Sequence, residues 1–292
     1  MEELLGDFII YLHDIKKASE NTEISYKRDL SKMLEFFSKK GINDMTKVTE
    51  TDLSSFVLYL ESKNFTASTV SRNIASVKAF FHYLVKEDFI SYSPAENLRA
   101  PKVVRKTPRI MTPEELIRLL EAPTGDSPKD IRDKAMLELL FATGIRVTEL
   151  ISLGMDDVRM DCSFIVCHDG EQSRTIPVGD NAQNALKRYA AVARNSMVKD
   201  DSVDSFFVNC SGLPMSRQGF WKLIKYYAKK AAIEVDVTPY TLRHSFAAHL
   251  VLTGANQQSV NMVLGQSENS STKVYNDMVQ ARLKRVSDML RS

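Results

Sequence analysis

Cysteine is scarce: Cys162, Cys167 and Cys210 are the only three in 292 residues. Three thiols cannot build a disulfide framework, and they suit a reducing compartment. No apolar run approaches the roughly 18–20 residues of a membrane-spanning helix. The first ten residues, MEELLGDFII, carry acids where an export signal needs bases, so a cytoplasmic location is expected. A large charge of one sign is missing too: 39 Lys and Arg against 37 Asp and Glu leave 39 − 37 = +2. That total does not advertise nucleic acid, so the distribution of charge has to be read instead. There is no solenoid-length repeat, no low-complexity tract, no Gly-rich phosphate loop and no Ser nucleophile elbow. What is present is 43% hydrophobic residues, enough for a sizeable core without disulfide or metal support. Ample apolar content with small net charge excludes disorder as the main state.

The clearest seam lies at residues 99–110. It holds Pro101 and Pro108 and five bases, Arg99, Lys102, Arg105, Lys106 and Arg109, with no acid. Proline lacks a donor N–H and suits an extended connector better than a helix interior. The chain therefore divides into residues 1–98, a basic linker at 99–110, and residues 111–292. Residues 1–110 carry 17 bases and 15 acids, and 111–292 carry 22 of each, so the positive excess sits at the linker.

The first segment reads as all helix. Tyr26, Leu30, Met33, Leu34 and Phe37 recur at spacings of three and four, as do Val70, Ile74, Val77, Phe81 and Leu84. Helices near 2–12, 22–39, 50–62 and 67–86 make a four-helix domain. The second segment is mainly α with a small antiparallel β insertion. Thr112-Pro113-Glu114-Glu115 starts a helix, with a cap, a proline at the first position and acids in the first turn. A helix over 129–143 stops at Gly144, which suits the left-handed position. Val158–Met160, Ser163–Cys167 and Arg174–Pro177 read as short strands, with a turn marked by Asp169-Gly170.

A metal site is not favoured. Cys162 and Cys167 lie five apart, with His168 adjacent, and residues five apart on a strand point to opposite faces. No second ligand pair stands at zinc spacing, so both cysteines read as buried and structural. Residues 217–230, RQGFWKLIKYYAKK, hold five bases, four aromatics and no acid. Lys222, Lys225 and Lys229 share one helical face. Alone that is a solvated stripe. With Arg217 and the linker bases Arg105 and Lys106 it reads as a phosphate-tracking surface. Phe220 and Trp221 read as core.

Two arginines stand at helix starts. Arg146 follows Gly144 just before Val147-Thr148-Glu149-Leu150. Thr238-Pro239-Tyr240-Thr241-Leu242-Arg243 opens another helix with a capping threonine and a proline, and Tyr240 and Arg243 share a face. Helix N-termini attract anions, and guanidinium grips phosphate through a planar fork. The two arginines, 243 − 146 = 97 residues apart, can converge on one phosphate. For either alone, a surface ion pair is the plainer account. His249 lies about 240° around the helix from Arg243 at 100° per residue and reads as a core histidine.

Residues 142–150, ATGIRVTEL, resemble the first arginine motif of the tyrosine recombinases, the phage integrase family. Residues 238–250, TPYTLRHSFAAHL, resemble its second arginine motif. Leu264-Gly265-Gln266-Ser267 with Thr272 and Tyr275 is similar to the closing motif that carries the nucleophilic tyrosine. Asn21-Thr22, residues 26–30 and residues 93–98 resemble Xer-type members. The resemblance spans nearly the whole chain. It implies an N-terminal SAM-like core-binding domain and a C-terminal catalytic domain that clamp duplex DNA. It further implies attack by Tyr275 to give a 3′-phosphotyrosyl link, with Arg146 and Arg243 stabilising the transition state. No metal or other cofactor is implied. The assembly would be a homo- or hetero-tetramer on DNA, joined by a C-terminal tail that would here be Met278 to Leu290.

Three positions depart from the family pattern. The family's hairpin lysine, the general acid, falls at Asp169. Tyr240 and Gln266 stand where histidine, or histidine or tryptophan, is usual. Tyr240 and Gln266 keep a donor, whereas an ionised Asp169 only accepts. His168 is the substitute acid to be tested in the same hairpin. Two functions from different classes follow: a recombinase that cuts and rejoins DNA, with activity attenuated by Asp169, or a DNA-binding relative with weak or no cleavage.

Overall fold

A computed structural model of the chain describes residues 1–103, 109–170, 172–200 and 202–265. Arg105, Lys106, Gln266, Tyr275 and the expected tail at 278–290 lie outside the described residues. The chain splits into two compact units, Met1–Lys106 and Thr107–Ser292.

The first unit holds α1 (Glu2–Asp14), α2 (Glu20–Lys39), α3 (Glu50–Ser62) and α4 (Ala67–Lys86), with a short 3₁₀ turn at Met45–Lys47. The four expected helices are present, each within two residues of its expected bounds. Thr49 caps α3 reciprocally: its hydroxyl accepts from the Asp52 N–H, and the Asp52 carboxylate accepts from the Thr49 N–H. The apolar faces close on Phe8, Phe37, Phe56, Phe80 and Phe81, all essentially buried. Phe8 meets Phe80 edge-on at 5.4 Å between centroids. Within this core Asp29 is fully buried, and it accepts from Arg72 and from Ser76 Oγ at 3.1 Å. A buried carboxylate needs such partners, because its desolvation is otherwise unpaid.

The second unit begins with α5 (Pro113–Glu121), capped as expected by Thr112, which also forms a reciprocal box with Glu115. There follow α6 (Pro128–Thr143), α7 (Val147–Ser152) and a three-stranded antiparallel sheet in the order β1-β2-β3. Its strands are Val158–Arg159, Phe164–Asp169 and Gln172–Pro177. The β2–β3 ladder runs from Phe164↔Pro177 to Asp169↔Gln172, so both strands extend beyond the expected spans. His168 and Asp169 carry no apolar alternation, which is why the sequence alone ends the strand early. Gly170 sits beyond the last pair at φ +64°. Then α8 (Asp180–Arg188) passes through a wide turn at Tyr189–Arg194 into α9 (Asn195–Met197). Finally come α10 (Arg217–Lys230), α11 (Pro239–Leu252) and α12 (Gln257–Leu264). The core packs around α6, with Met136, Leu139, Leu140, Tyr189, Phe206 and Tyr227 buried.

Three assignments of burial need correction. Cys167 is buried as expected, but Cys162 is exposed. Trp221 is 48% exposed while Phe220 is buried, since α10 turns only one of two adjacent aromatics inward. His249 is half-buried at a surface groove with Phe141 and Phe246 instead of in the core. No described helix is long and apolar enough to cross a membrane.

Candidate active site and nucleic-acid interface

The chain leaves α6 through Gly144 at φ +60°. A Cβ there would lie 2.2 Å from Phe246 Cδ1 of α11, so glycine is required by conformation and by space. Arg146 then caps α7, and the buried Glu149 carboxylate accepts from the Arg146 backbone N–H at 2.6 Å. Arg146 Nη1 donates to Glu149 Oε1 at 3.1 Å and to Asp169 Oδ2 at 2.9 Å, and Nη2 donates to the Gly265 carbonyl at 2.7 Å.

Arg243 reaches the same place from α11. Its side chain is buried, with Nη1 donating to the Gly144 carbonyl and Nη2 to the Leu264 carbonyl, both at 2.6 Å. The two arginines, far apart in sequence, thus meet on the neighbouring carbonyls 264 and 265 at the C-terminus of α12. That is the negative end of a helix, where cations are favoured. Tyr240, one turn before Arg243, is 67% exposed at the mouth of α11.

Sequence reasoning missed two members of the cluster. Arg174 on β3 donates to both oxygens of Glu149, at 2.7 and 3.0 Å, and through Nε to the Val263 carbonyl at 3.4 Å. Glu149 itself was legible only as the acid three residues after a helix cap. Burial alone would raise the Glu149 pKa, but hydrogen bonds from Arg174 and the Arg146 backbone, with both positive charges, hold it below the ordinary glutamate value. Burial pushes the neighbouring Cys167 thiol up to about 12, which leaves it an inert core group. His244, beside Arg243, is lowered by burial and then by the Arg243 charge, so it is neutral at pH 7.

His168 and Asp169 diverge. Both belong to the β2 ladder, so their side chains leave opposite faces. Asp169 meets Arg146, while His168 Nε2 lies 2.9 Å from Asp157 Oδ1. The substitute-acid expectation for His168 meets that obstacle: it is engaged on the face away from the arginines.

Around this centre three helix starts meet. A surface cavity of about 680 Å³ is lined by Val147 of α7, Arg217, Trp221 and Lys222 of α10, and Pro239 and Tyr240 of α11. The residue after Arg146 thus shares a groove with Tyr240 and two expected phosphate contacts. Lys222 and Lys229 are exposed, but Lys225 is ion-paired with Asp236 and stacked over Trp221 at 5.0 Å. The lysine stripe is therefore one partly neutralised cation between two solvated ones.

Residues 109–282 match the phage integrase family, and residues 5–88 match its N-terminal SAM-like domain. The chain belongs to the phage integrase family. Family relatives include the tyrosine recombinase XerD of Oceanobacillus iheyensis, 39% identical over 290 residues, covering 97% of this chain and 96% of that protein. The tyrosine recombinase XerC of Roseiflexus sp. is 37% identical over 279 residues, covering 94% of this chain and 89% of that protein. Among solved family members, XerH bound to a palindromic difH substrate in a post-cleavage complex superposes with a TM-score of 0.75 at 20% identity. That match covers 95% of this chain and 82% of the other, and it shows the shared fold. The integrase fold is thus mainly helical with one small antiparallel sheet, the architecture expected from the sequence.

Proposed function

We propose that this protein is a site-specific tyrosine recombinase that cuts and rejoins duplex DNA through a 3′-phosphotyrosyl intermediate. The observation that carries this reading is the meeting of Arg146 and Arg243 on adjacent carbonyls, immediately before the segment that bears Tyr275. The Tyr275 phenol gives up its proton to water as its oxygen attacks the scissile phosphorus and bonds to it. The P–O5′ bond breaks, the 5′ oxygen takes a proton from water, and the phosphorus stays linked to the 3′ strand. Reversal by a 5′ hydroxyl from a second duplex completes exchange, so the bond energy is conserved and no nucleotide triphosphate is needed. Arg146 and Arg243 stabilise the extra negative charge of the transition state. Tyr240 and Gln266 serve as neutral donors at the same phosphate. Arg105, Lys106, Arg217, Lys222, Lys225 and Lys229 hold backbone phosphates, with residues 99–110 acting as the linker between two DNA-clamping domains. The working assembly is a homo- or hetero-tetramer on two duplexes in the cytoplasm.

Asp169 favours a second reading, a DNA-binding member without cleavage. Its carboxylate accepts from Arg146 where the family pattern has a lysine ammonium as proton donor. Nicked suicide duplexes drawn from the host chromosome separate the two. A denaturant-stable protein–DNA adduct is expected from the wild type and not from Tyr275→Phe. Shifted complexes with no adduct on any duplex would instead establish the binding-only reading.

A further inference from the structure

Three consecutive carbonyls at the end of α12 are each taken by a different arginine. Val263 accepts from Arg174, Leu264 from Arg243 and Gly265 from Arg146. Two of these arginines have a role in the proposed chemistry and the third does not. Arg174 spends its fork on Glu149, which is 5% exposed. That carboxylate receives four donors: both Arg174 Nη atoms, the Arg146 N–H and Arg146 Nη1. A carboxylate offers about four lone-pair directions, so Glu149 is saturated.

The arrangement sets what Arg146 can do. With Arg174 in place, Glu149 needs only one side-chain donor from Arg146. Without it, a buried carboxylate would lose its bidentate partner, and the strongest compensation within reach is the rest of the Arg146 guanidinium. Arg174 also lies against Gly265, where a Cβ would come within 2.7 Å of its Cζ. Gly265 carries the carbonyl that Arg146 Nη2 uses. Arg174 therefore touches both supports of Arg146, the carboxylate and the exit of α12.

We propose that Arg174 is a positioning residue for strand cleavage: it saturates Glu149 and fixes the α12 exit, so that Arg146 is held in one orientation toward the phosphate. This rests on the recombinase reading for the identity of the phosphate, but not for the Arg174–Glu149–Arg146 coupling itself. Lysine keeps the charge at position 174 and loses the planar fork, so Arg174→Lys isolates geometry from charge.

The test uses the full-length chain and two readouts. The first is the single-turnover rate of Tyr275 adduct formation at saturating DNA, alongside DNA affinity. Arg174→Lys should slow the rate about 10–100-fold, as loss of outer-shell partners typically does, with little change in affinity. In a Glu149→Gln background Arg174→Lys should slow the rate by a smaller factor, because one of its two supports of Arg146 is already gone. A wild-type rate in Arg174→Lys, or an equal slowing in both backgrounds, would overturn the proposal. The second readout is the ¹⁵Nη signals of Arg146 in DNA-free protein, assigned with Arg146→Lys. They should be resolved by hindered rotation in the wild type and averaged in Arg174→Lys. Should the wild type form no adduct, the recombinase reading falls and the spectra alone decide the positioning role. Should Arg174→Lys fail to fold, averaged Arg146 signals in the wild type would still contradict it.

Discussion

At the scale of single residues, Asp169 does two things in the proposed site. It offers a departing 5′ oxygen no ammonium donor in place of the family's hairpin lysine, and its carboxylate competes with phosphate for Arg146. The magnitudes decide between a slow site and a dead one. The Asp169 side chain is 63% exposed, and exposed ion pairs are worth about 0–1 kcal/mol, so an incoming phosphate can displace it. The missing acid weighs more, since a positioned general acid contributes about 10²–10⁴-fold. Asp169→Asn should therefore give a small gain in adduct rate, and Asp169→Lys should recover much of that larger factor on ordinary DNA. Equal rates for wild type and Asp169→Lys in single-turnover assays would mean that another group is the acid.

The half-buried His244 and the buried Glu149 also predict how stability responds to pH. His244 titrates below its reference value of 6.5 in the fold, so the unfolded chain binds the proton first as pH falls. Its contribution is complete above about pH 6.5 and is lost on acidification below that. Glu149 follows the same sign lower down: its contribution is present above its reference value of 4.5 and is lost as pH falls through its depressed value. Denaturant titrations across pH 4–7 should show stability falling on acidification from about pH 6.5, and His244→Gln should remove that part of the loss. Unchanged pH dependence in His244→Gln would assign the loss elsewhere.

At the scale of elements, the α6–α7 turn and the α12 terminus carry the geometry. Gly144 adopts a left-handed φ, packs on Phe246 and presents the carbonyl that Arg243 uses. Gly144→Ala combines backbone strain of about 1–3 kcal/mol with overpacking of similar size, so a drop in thermal midpoint is expected. It should also slow cleavage through Arg243. A fully stable, fully active Gly144→Ala protein would show that the turn has room to relax. The stop at Gly144 was legible because a helix period ended there. So were the capped starts at Thr112 and Thr238, which use local side-chain bonds. Arg174 was not legible, since its partner Glu149 lies 25 positions earlier and no local period links a strand residue to a helix cap. Trp221 was misjudged for a related reason: helical spacing places it beside Phe220 without saying which of the two the neighbouring elements cover.

At the scale of the whole molecule, a charge of +2 and a DNA substrate are compatible if the bases are grouped. Each phosphate contact should contribute about −0.9 to the slope of log affinity against log salt. Lys222→Ala and Lys229→Ala should each flatten that slope by about this amount, and Lys225→Ala by less, because Asp236 already pairs with it. Sequence preference should not change, since phosphate contacts position and base contacts specify. An affinity insensitive to salt would remove the phosphate-tracking surface from the account. Limited proteolysis of DNA-free protein should cut first within residues 99–110 and leave two folded pieces, whereas early cleavage inside 130–150 would displace the proposed boundary.

In the proposed mechanism Tyr275 is a competent nucleophile in a site without the family's hairpin lysine. The most direct measurement is adduct formation on a 5′-phosphorothiolate duplex beside its ordinary counterpart, with the attachment point mapped by peptide mass spectrometry. Sulfur leaves without a proton, so the phosphorothiolate should react much faster than ordinary DNA, with the nucleotide on Tyr275. Tyr275→Phe should abolish both reactions, and Asp169→Lys should narrow the gap between the two substrates. No adduct on the phosphorothiolate, or an adduct on a different residue, would contradict the account.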